Sequence, residues 1–152
     1  MPKIDISKAN IRTTSGYPAP LKDAVLGREK AALGNLAGLT QFGINLTRLK
    51  PGAASALRHW HDNEDEFVYV LEGELTLIED EGETLLRPGD AAGFKAGVPN
   101  GHHLVNRSEE PCTFVAISAG PRTGGGYSDI DMVFTDDGRF CRRDGTEYPK
   151  RV

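Results

Sequence analysis

The chain has 152 residues, of which 38% are hydrophobic and 26% charged, and its formal net charge at pH 7 is −4. These values are ordinary for one folded globular domain and exclude an intrinsically disordered chain. A negative net charge without a long run of lysines and arginines also argues against binding to nucleic-acid phosphates.

The N-terminal part of the chain, residues 1–38, predicts little regular structure. Prolines interrupt residues 1–20, which show no clean hydrophobic period. Residues 21–38 follow a weak helical pattern that Gly27 and Gly34 break, so we expect one helical turn there and no more. We therefore interpret residues 1–38 as a leader that packs on the barrel or on a partner chain.

From Leu39 onward the hydrophobic pattern changes to that of β-strands. Phe42, Ile44 and Leu46 alternate with Gly43, Asn45 and Thr47, which is the two-residue period of a half-buried strand. Further short segments are separated by turn sequences, at residues 57–61, 66–71, 74–79, 84–87, 91–95, 103–107 and 113–118. Short strands at this spacing, without alternating helices, predict an all-β sandwich or barrel. We assign residues 39–120 to its core.

The C-terminal residues 121–152 are rich in Gly, Asp and Arg, and we interpret them as an extension of the same domain. Segments 130–134 and 139–141 flank the turn sequence Asp136-Asp137-Gly138 and could form one more hairpin. Since the chain contains no internal repeat and no strong domain boundary, we expect a single domain.

Three sequence features bear on the cellular compartment. Met1 to Asp5 lacks the apolar segment of a signal peptide. The longest apolar run, residues 114–119, is far too short to span a membrane. Cys112 and Cys141 do not have the spacing of a metal-binding or redox pair, so two reduced thiols are expected, although sequence does not exclude a disulfide between them. We therefore expect a cytoplasmic protein that has no membrane partner.

All histidines of the chain lie in two clusters, His59/His61 and His102/His103. Side chains two residues apart project from the same face of a strand, so His59 and His61 can converge on one ion. Glu66 begins the next predicted strand and can fold back beside them. Two imidazoles and a carboxylate suit one divalent Fe, Mn, Ni or Zn ion, and a histidine of the second cluster would complete a four-ligand site.

The glycines and prolines around these residues stand at spacings that resemble the two motifs of the cupin family. The first motif is matched, in order, by Pro51-Gly52, His59-x-His61, Glu66 and Gly73. The segment 89–106 resembles the second motif, with three residues between His102 and Asn106. A His-x-His pair or an acidic run would be a weak signal alone, but their joint spacing indicates a metal-binding cupin.

The resemblance implies a double-stranded β-helix, a jelly-roll barrel with the metal inside one mouth. The implied metal ligands are His59, His61, Glu66 and His102. This chain departs from the family pattern in two places: Lys95 replaces a proline, and two extra residues within 98–101 leave a choice between His102 and His103. The offset to Asn106 favours His102, since alternation then turns His103 to the opposite face.

The resemblance does not select one reaction, because cupins include isomerases, dioxygenases, dehydratases and lyases. Arg48, Arg58 and Arg87 are scattered, so the sequence shows no obvious phosphate clamp, and no catalytic residue stands out. We expect a metalloenzyme of the isomerase or dioxygenase type that acts on a small polar molecule, a sugar or an organic acid. The alternative is a non-catalytic, metal-dependent module that binds or senses a small ligand.

Two further expectations concern the pocket and the assembly. The residues predicted to line the pocket beside the metal are Leu57, Val68, Val70 and Leu104. Residues 1–20 have too few apolar side chains to fold alone, and barrels of this kind often pair through their strands. We therefore expect a homodimer in which residues 1–20 or 121–152 cross to the partner.

Overall fold

A computed structural model describes residues 2–149, so residues 150–152 of the C-terminal extension lie outside the described part. The strands are β1 (Ile11–Arg12), β2 (Arg28–Ala32), β3 (Gly43–Leu49), β4 (His59–His61), β5 (Asp65–Glu72), β6 (Leu75–Glu79), β7 (Gly82–Leu86), β8 (Ala91–Phe94), β9 (His103–Val105), β10 (Cys112–Ala119), β11 (Gly125–Tyr127), β12 (Val133–Phe134) and β13 (Phe140–Cys141). Helical structure within residues 2–149 is limited to α1 (Leu33–Leu36) and the 3₁₀ turns Ile6–Lys8 and Leu21–Val25. None of these helices is long and apolar enough to cross a lipid bilayer.

The strands form antiparallel sheets that pack face to face. The largest sheet has the strand order β1-β2-β3-β10-β5-β8, and the smaller ones have the orders β13-β12-β11-β4 and β7-β6-β9. A bridge between His59 and His102 joins the two smaller sheets beside β9. The all-β architecture predicted from the alternating pattern is confirmed.

The main core lies between the six-stranded sheet and the β7-β6-β9 sheet. Its buried members are Leu49, Ala53, Val68, Val70, Leu75, Leu77, Leu86, Leu104, Cys112 and Phe114. On β5, Val68 and Val70 point inward and are buried, whereas Phe67 and Tyr69 point outward and are exposed. Each fully buried Val, Leu or Phe side chain contributes about 1.5–3 kcal/mol, so this alternation fixes which face of β5 turns inward.

A second, smaller core joins the two ends of the chain. Tyr17 of the leader packs its ring edge-on against Tyr127 of β11, with ring centroids 5.8 Å apart, and also contacts Phe140 of β13. Val25 and Met132 complete the buried cluster. The leader therefore packs against the C-terminal extension as well as against the barrel.

The prediction for residues 21–38 was wrong in one respect, because these residues contain a strand as well as helical turns. Strand β2 pairs with β3 along its whole length, and β1 adds to its other edge. Its sequence, Arg-Glu-Lys-Ala-Ala, lacks the alternation of a strand that covers an apolar core. The inward side chains of Arg28 and Lys30 instead line a polar cavity. The alternating hydrophobic pattern that identifies other strands is therefore missing from β2.

The predicted C-terminal hairpin is confirmed, with Val133 paired to Cys141 and Phe134 paired to Phe140. Both cysteines are free and buried, Cys112 in β10 and Cys141 in β13. The expectation of two unpaired thiols therefore holds for this fold.

Candidate metal centre

His59 and His61 share the inward face of β4, as their two-residue spacing predicts. Strand β4 is held by β11, with Gly125 opposite His61 and Tyr127 opposite His59. The Nε2 atoms of the two histidines lie 3.2 Å apart. Their rings are nearly perpendicular, at 79°, and the short separation of the two nitrogens brings them to one region.

Glu66 reaches this region from β5, in the six-stranded sheet. Its Oε1 lies 3.2 Å from His61 Nε2 and 4.0 Å from His59 Nε2. One ligand atom from each of these three residues can be chosen so that all lie within 4.8 Å of one another. The structure therefore brings together three of the residues proposed from the sequence.

The second histidine cluster contributes His102 rather than His103. His102 Nε2 lies 2.7 Å from Glu66 Oε2, and its ring stacks on Phe94 with centroids 3.6 Å apart. His103 Nδ1 lies 2.8 Å from the Ala56 carbonyl oxygen instead. Of the two candidates, only His102 contacts the Glu66 carboxylate; its ligation of a metal stays a prediction.

The electrostatics of the cluster favour the protonation states that a metal requires. Burial lowers the pKa of His59 to about 4, against the opposing effect of the Glu66 carboxylate, so its imidazole is neutral near pH 7. Burial raises the pKa of Glu66, but hydrogen bonds to His102 and His61 outweigh burial and hold it well below its usual value. A neutral imidazole at His59 and an ionised carboxylate at Glu66 are the metal-binding forms of these two groups.

The donor geometry also fits a metal ion. His59 Nδ1 lies 2.7 Å from the Leu57 carbonyl oxygen, and when it donates to that oxygen, Nε2 presents a lone pair to the cluster. Ligands at about 2.1 Å from one ion lie about 3 Å apart in adjacent positions, and the 3.2 Å separations at His61 approach that value. The cluster could therefore hold one divalent metal ion.

A cavity of about 680 Å³ extends from the cluster into the barrel. Val68 and Leu104 line it as predicted. Leu57 and Val70 do not, which corrects the expectation. Val70 lies deeper, in the main core, and Leu57 precedes β4 and packs beside the Tyr17 cluster. A volume of this size is typical of a small-molecule site.

The cavity also contains charged residues that the sequence analysis did not assign to the site. They are Arg12, Arg28, Lys30, Glu64, Arg122, Asp136 and Asp137. The scattered arginines considered from the sequence lie elsewhere; Arg58, for example, forms ion pairs with Asp80 and Asp129. Had residues 28–32 been interpreted as a strand, alternation would have placed Arg28 and Lys30 on one face.

Comparison with known proteins identifies the family. The family model of the cupin domain matches residues 45–118, which include all four candidate ligands. A solved sugar phosphate isomerase of the cupin superfamily from Silicibacter pomeroyi DSS-3 is 46% identical to this chain, with a TM-score of 0.90 and coverage of 97% of this chain and 96% of that one. No curated protein matches the chain.

More distant structures share the fold. A protein from Acidithiobacillus ferrooxidans with a provisional sugar phosphate isomerase assignment is 23% identical, with a TM-score of 0.77 and coverage of 95% of this chain and 90% of that one. The polyketide cyclase RemF from Streptomyces resistomycificus is 20% identical, with a TM-score of 0.69 and coverage of 86% and 87%. The family model and the 46% identity over nearly the whole length show that this chain belongs to the cupin superfamily.

Proposed function

We propose that this cupin is a metal-dependent enzyme that isomerises a small sugar-like molecule carrying hydroxyl and carbonyl groups. The observation that supports it most directly is the meeting of His59, His61, Glu66 and His102 at the wall of a cavity large enough for such a substrate. The 46% identical relative is a sugar phosphate isomerase, which favours isomerisation over oxygenation.

The four residues would hold one divalent ion, whose positive charge polarises a carbonyl or hydroxyl oxygen of the substrate. Phe94 and Phe134 line the cavity beside these ligands and exclude water from them, which strengthens electrostatic interactions there. Burial raises the pKa of Tyr127, so its hydroxyl stays protonated and can donate a hydrogen bond.

Isomerisation of an aldose to a ketose through an enediol moves a proton between neighbouring carbons, and Glu64 is the carboxylate best suited to carry it. Glu64 lines the cavity, is only 4% exposed, and has no hydrogen-bond partner for Oε2 among residues 2–149. Arg122 Nε lies 3.5 Å from Oε2 and orients the carboxylate. A buried carboxylate at the cavity wall, held in place by an ion pair rather than by hydrogen bonds, is a suitable general base.

Replacing Glu66, the carboxylate of the cluster, tests the proposed metal-dependent isomerisation. Glu66→Gln keeps the shape of the side chain but removes a negative charge beside the ion, so turnover is expected to fall at least about tenfold. Protein loaded with Fe(II), Mn(II), Ni(II) or Zn(II) is incubated with aldoses, ketoses, their phosphates, keto-acids and phenols, with and without O₂. Product formation is followed by NMR. The matched control is Glu72→Gln, an exposed residue of the same strand, which should keep full turnover.

The outcomes separate an enzyme from a binding module. Metal-dependent isomerisation that Glu66→Gln reduces and Glu72→Gln does not would support the proposal. Saturable ligand binding without any product, over the whole panel and all four metals, would favour the non-catalytic module instead. A product that forms only with O₂ would replace isomerisation by oxygenation.

We infer that the chain functions as a homodimer, with the contact on the outer face of the six-stranded sheet. Two cross-strand rows make this face apolar; they are Phe67, Ile117 and Ile44 in one row and Tyr69, Val115 and Leu46 in the other. Phe67 and Tyr69 are 44% and 43% exposed, and such patches commonly mark interfaces. The other expected contact, in which residues 1–20 or 121–152 cross to the partner, stays a prediction.

The dimer is tested by light scattering on the purified protein at micromolar concentration. The wild type is expected to have twice the chain mass, and Tyr69→Arg is expected to be monomeric, because it places a charge in the apolar face. Leu85→Arg, at an equally exposed leucine on β7, serves as the control and should remain dimeric. A monomeric wild type would refute the inference.

A further inference from the structure

A row of cationic and hydroxyl side chains crosses the cavity wall formed by the first three strands. In the sheet register, Arg12 of β1 stands opposite Lys30 of β2, and Lys30 stands opposite Thr47 of β3. Opposed residues of an antiparallel sheet share one face. Arg28 lies two residues before Lys30, on that same face, and all four residues line the cavity.

None of these cations has an acidic partner among the described residues. Arg28 is 8% exposed, and its two terminal nitrogens donate to carbonyl oxygens, those of Ser55 at 2.7 Å and Thr14 at 3.3 Å. Its Nε has no partner, nor does Thr47 Oγ1, although Thr47 is 1% exposed. Within residues 2–149, Lys30 makes no side-chain hydrogen bond and no ion pair.

Three carboxylates that line the same cavity are engaged with other residues. Glu66 contacts the histidines, and Glu64 forms an ion pair with Arg122. Asp137 accepts hydrogen bonds from Thr135 and Arg139. Asp136 also lines the cavity but forms no ion pair with the row, so no carboxylate within residues 2–149 neutralises these cations.

Such an arrangement is unfavourable unless a ligand compensates it. Like charges directly opposite one another destabilise a sheet, and a buried charge or hydroxyl without a partner loses its hydration. Burial, with Arg28, Arg12 and Arg122 adding to it, lowers the pKa of Lys30 to about 8, although Glu66 acts in the opposite direction. These cations without an acidic partner and the unpartnered hydroxyl therefore destabilise the folded protein, and all of them face the cavity.

We propose that Arg12, Arg28, Lys30 and Thr47 form an anion subsite that binds the phosphoryl group of the substrate. This rests on the proposed function in one respect, since the reacting end of the same substrate would lie at the metal cluster. Three cations and a hydroxyl match a phosphate dianion in charge and in number of donors better than they match a single carboxylate. The substrate class is therefore a short phosphorylated sugar.

Binding of inorganic phosphate tests the subsite without requiring turnover. Calorimetry is carried out on metal-loaded protein and on protein stripped of metal by chelation, so that phosphate bound directly to the ion is separated from phosphate at the row. Lys30→Met is expected to weaken phosphate binding at least about tenfold in both forms. Lys50→Met, at an exposed lysine outside the cavity, makes the same charge change and should leave the affinity unchanged.

Thr47→Val separates a ligand-binding role from a structural one. The substitution removes the unpartnered hydroxyl at nearly constant shape, so the melting temperature is expected to stay unchanged or rise while phosphate affinity falls. A structural role would lower the melting temperature instead.

The pH dependence of phosphate binding tests the role of Lys30. Phosphate affinity should decline as pH rises through about 8, where Lys30 loses its proton. Lys30→Arg should remove this decline, because a guanidinium stays protonated there.

The inference and the proposed function can fail separately. Phosphate binding that requires Lys30 and persists without metal would support the subsite even if no isomerisation were found. Equal phosphate affinity in wild type and Lys30→Met would overturn the subsite, as would tighter binding of acetate than of phosphate. Isomerisation of free sugars with no preference for their phosphates would also overturn it, while leaving the metal-dependent reaction in place.

Discussion

The double variant His59→Ala/His61→Ala is expected to fold normally yet retain less than about one tenth of the metal bound by the wild type. It removes two of the three residues whose donor atoms cluster within 4.8 Å. The remaining Glu66 and His102 lie 2.7 Å apart and would contact each other rather than hold an ion. Metal content is measured by mass spectrometry after dialysis, and folding by circular dichroism.

A histidine outside the cluster provides the control for this experiment. His103 is adjacent to His102 in sequence, but its ring contacts the Ala56 carbonyl oxygen. His103→Ala should therefore keep the wild-type metal content, whereas His102→Ala should lower it. Stoichiometric metal in the double variant, or equal losses in the two single variants, would contradict the assignment.

The cluster of His59, His61 and Glu66 could be predicted because its geometry depends on local sequence. Two histidines at a spacing of two residues share a face of any strand, and β4 needs no further information to align His59 with His61. Glu66 follows after a short turn, so the chain itself limits how far it can lie from them. Only the choice between His102 and His103 depended on a distant segment, and the offset to Asn106 in the resemblance to the second cupin motif favoured His102.

The cationic row could not be predicted in the same way, because it depends on pairing between distant segments. Arg12, Lys30 and Thr47 belong to three separate strands that meet only in the folded sheet. Hydrophobic periodicity detects strands that cover an apolar core, and β2 covers a polar cavity instead. The same reason explains why the leader was interpreted as irregular.

The two wrong predictions for the pocket lining have a geometric cause. Alternation identifies which face of a strand turns inward but not how deep a residue lies along the barrel. Val70 is four residues beyond Glu66, about 13 Å along the strand, and so contributes to the core below the cavity. Leu57 precedes the start of β4, where alternation no longer applies.

Strand β4, which carries His59 and His61, pairs with β11 through one close approach of the two backbones. Gly125 of β11 lies opposite His61 of β4, and it is buried. A methyl group on Gly125 would overlap the carbonyl oxygen of Trp60 and the ring of Phe134. The carbonyl oxygen belongs to the backbone of β4 and cannot rotate away, so only a glycine allows β11 to pair there.

Gly125→Ala is therefore expected to lower the free energy of unfolding by about 3 kcal/mol or more, because β11 must move away from β4. Metal affinity should fall with it, since the displacement occurs next to His61. Urea unfolding monitored by tryptophan fluorescence measures the first effect, and metal titration measures the second. Gly93→Ala is the matched control in another strand, because a methyl group there would make only an ordinary contact with Phe67 at 3.8 Å. If Gly125→Ala were as stable as Gly93→Ala and bound metal equally well, the close approach of β11 to β4 would not be what positions His61.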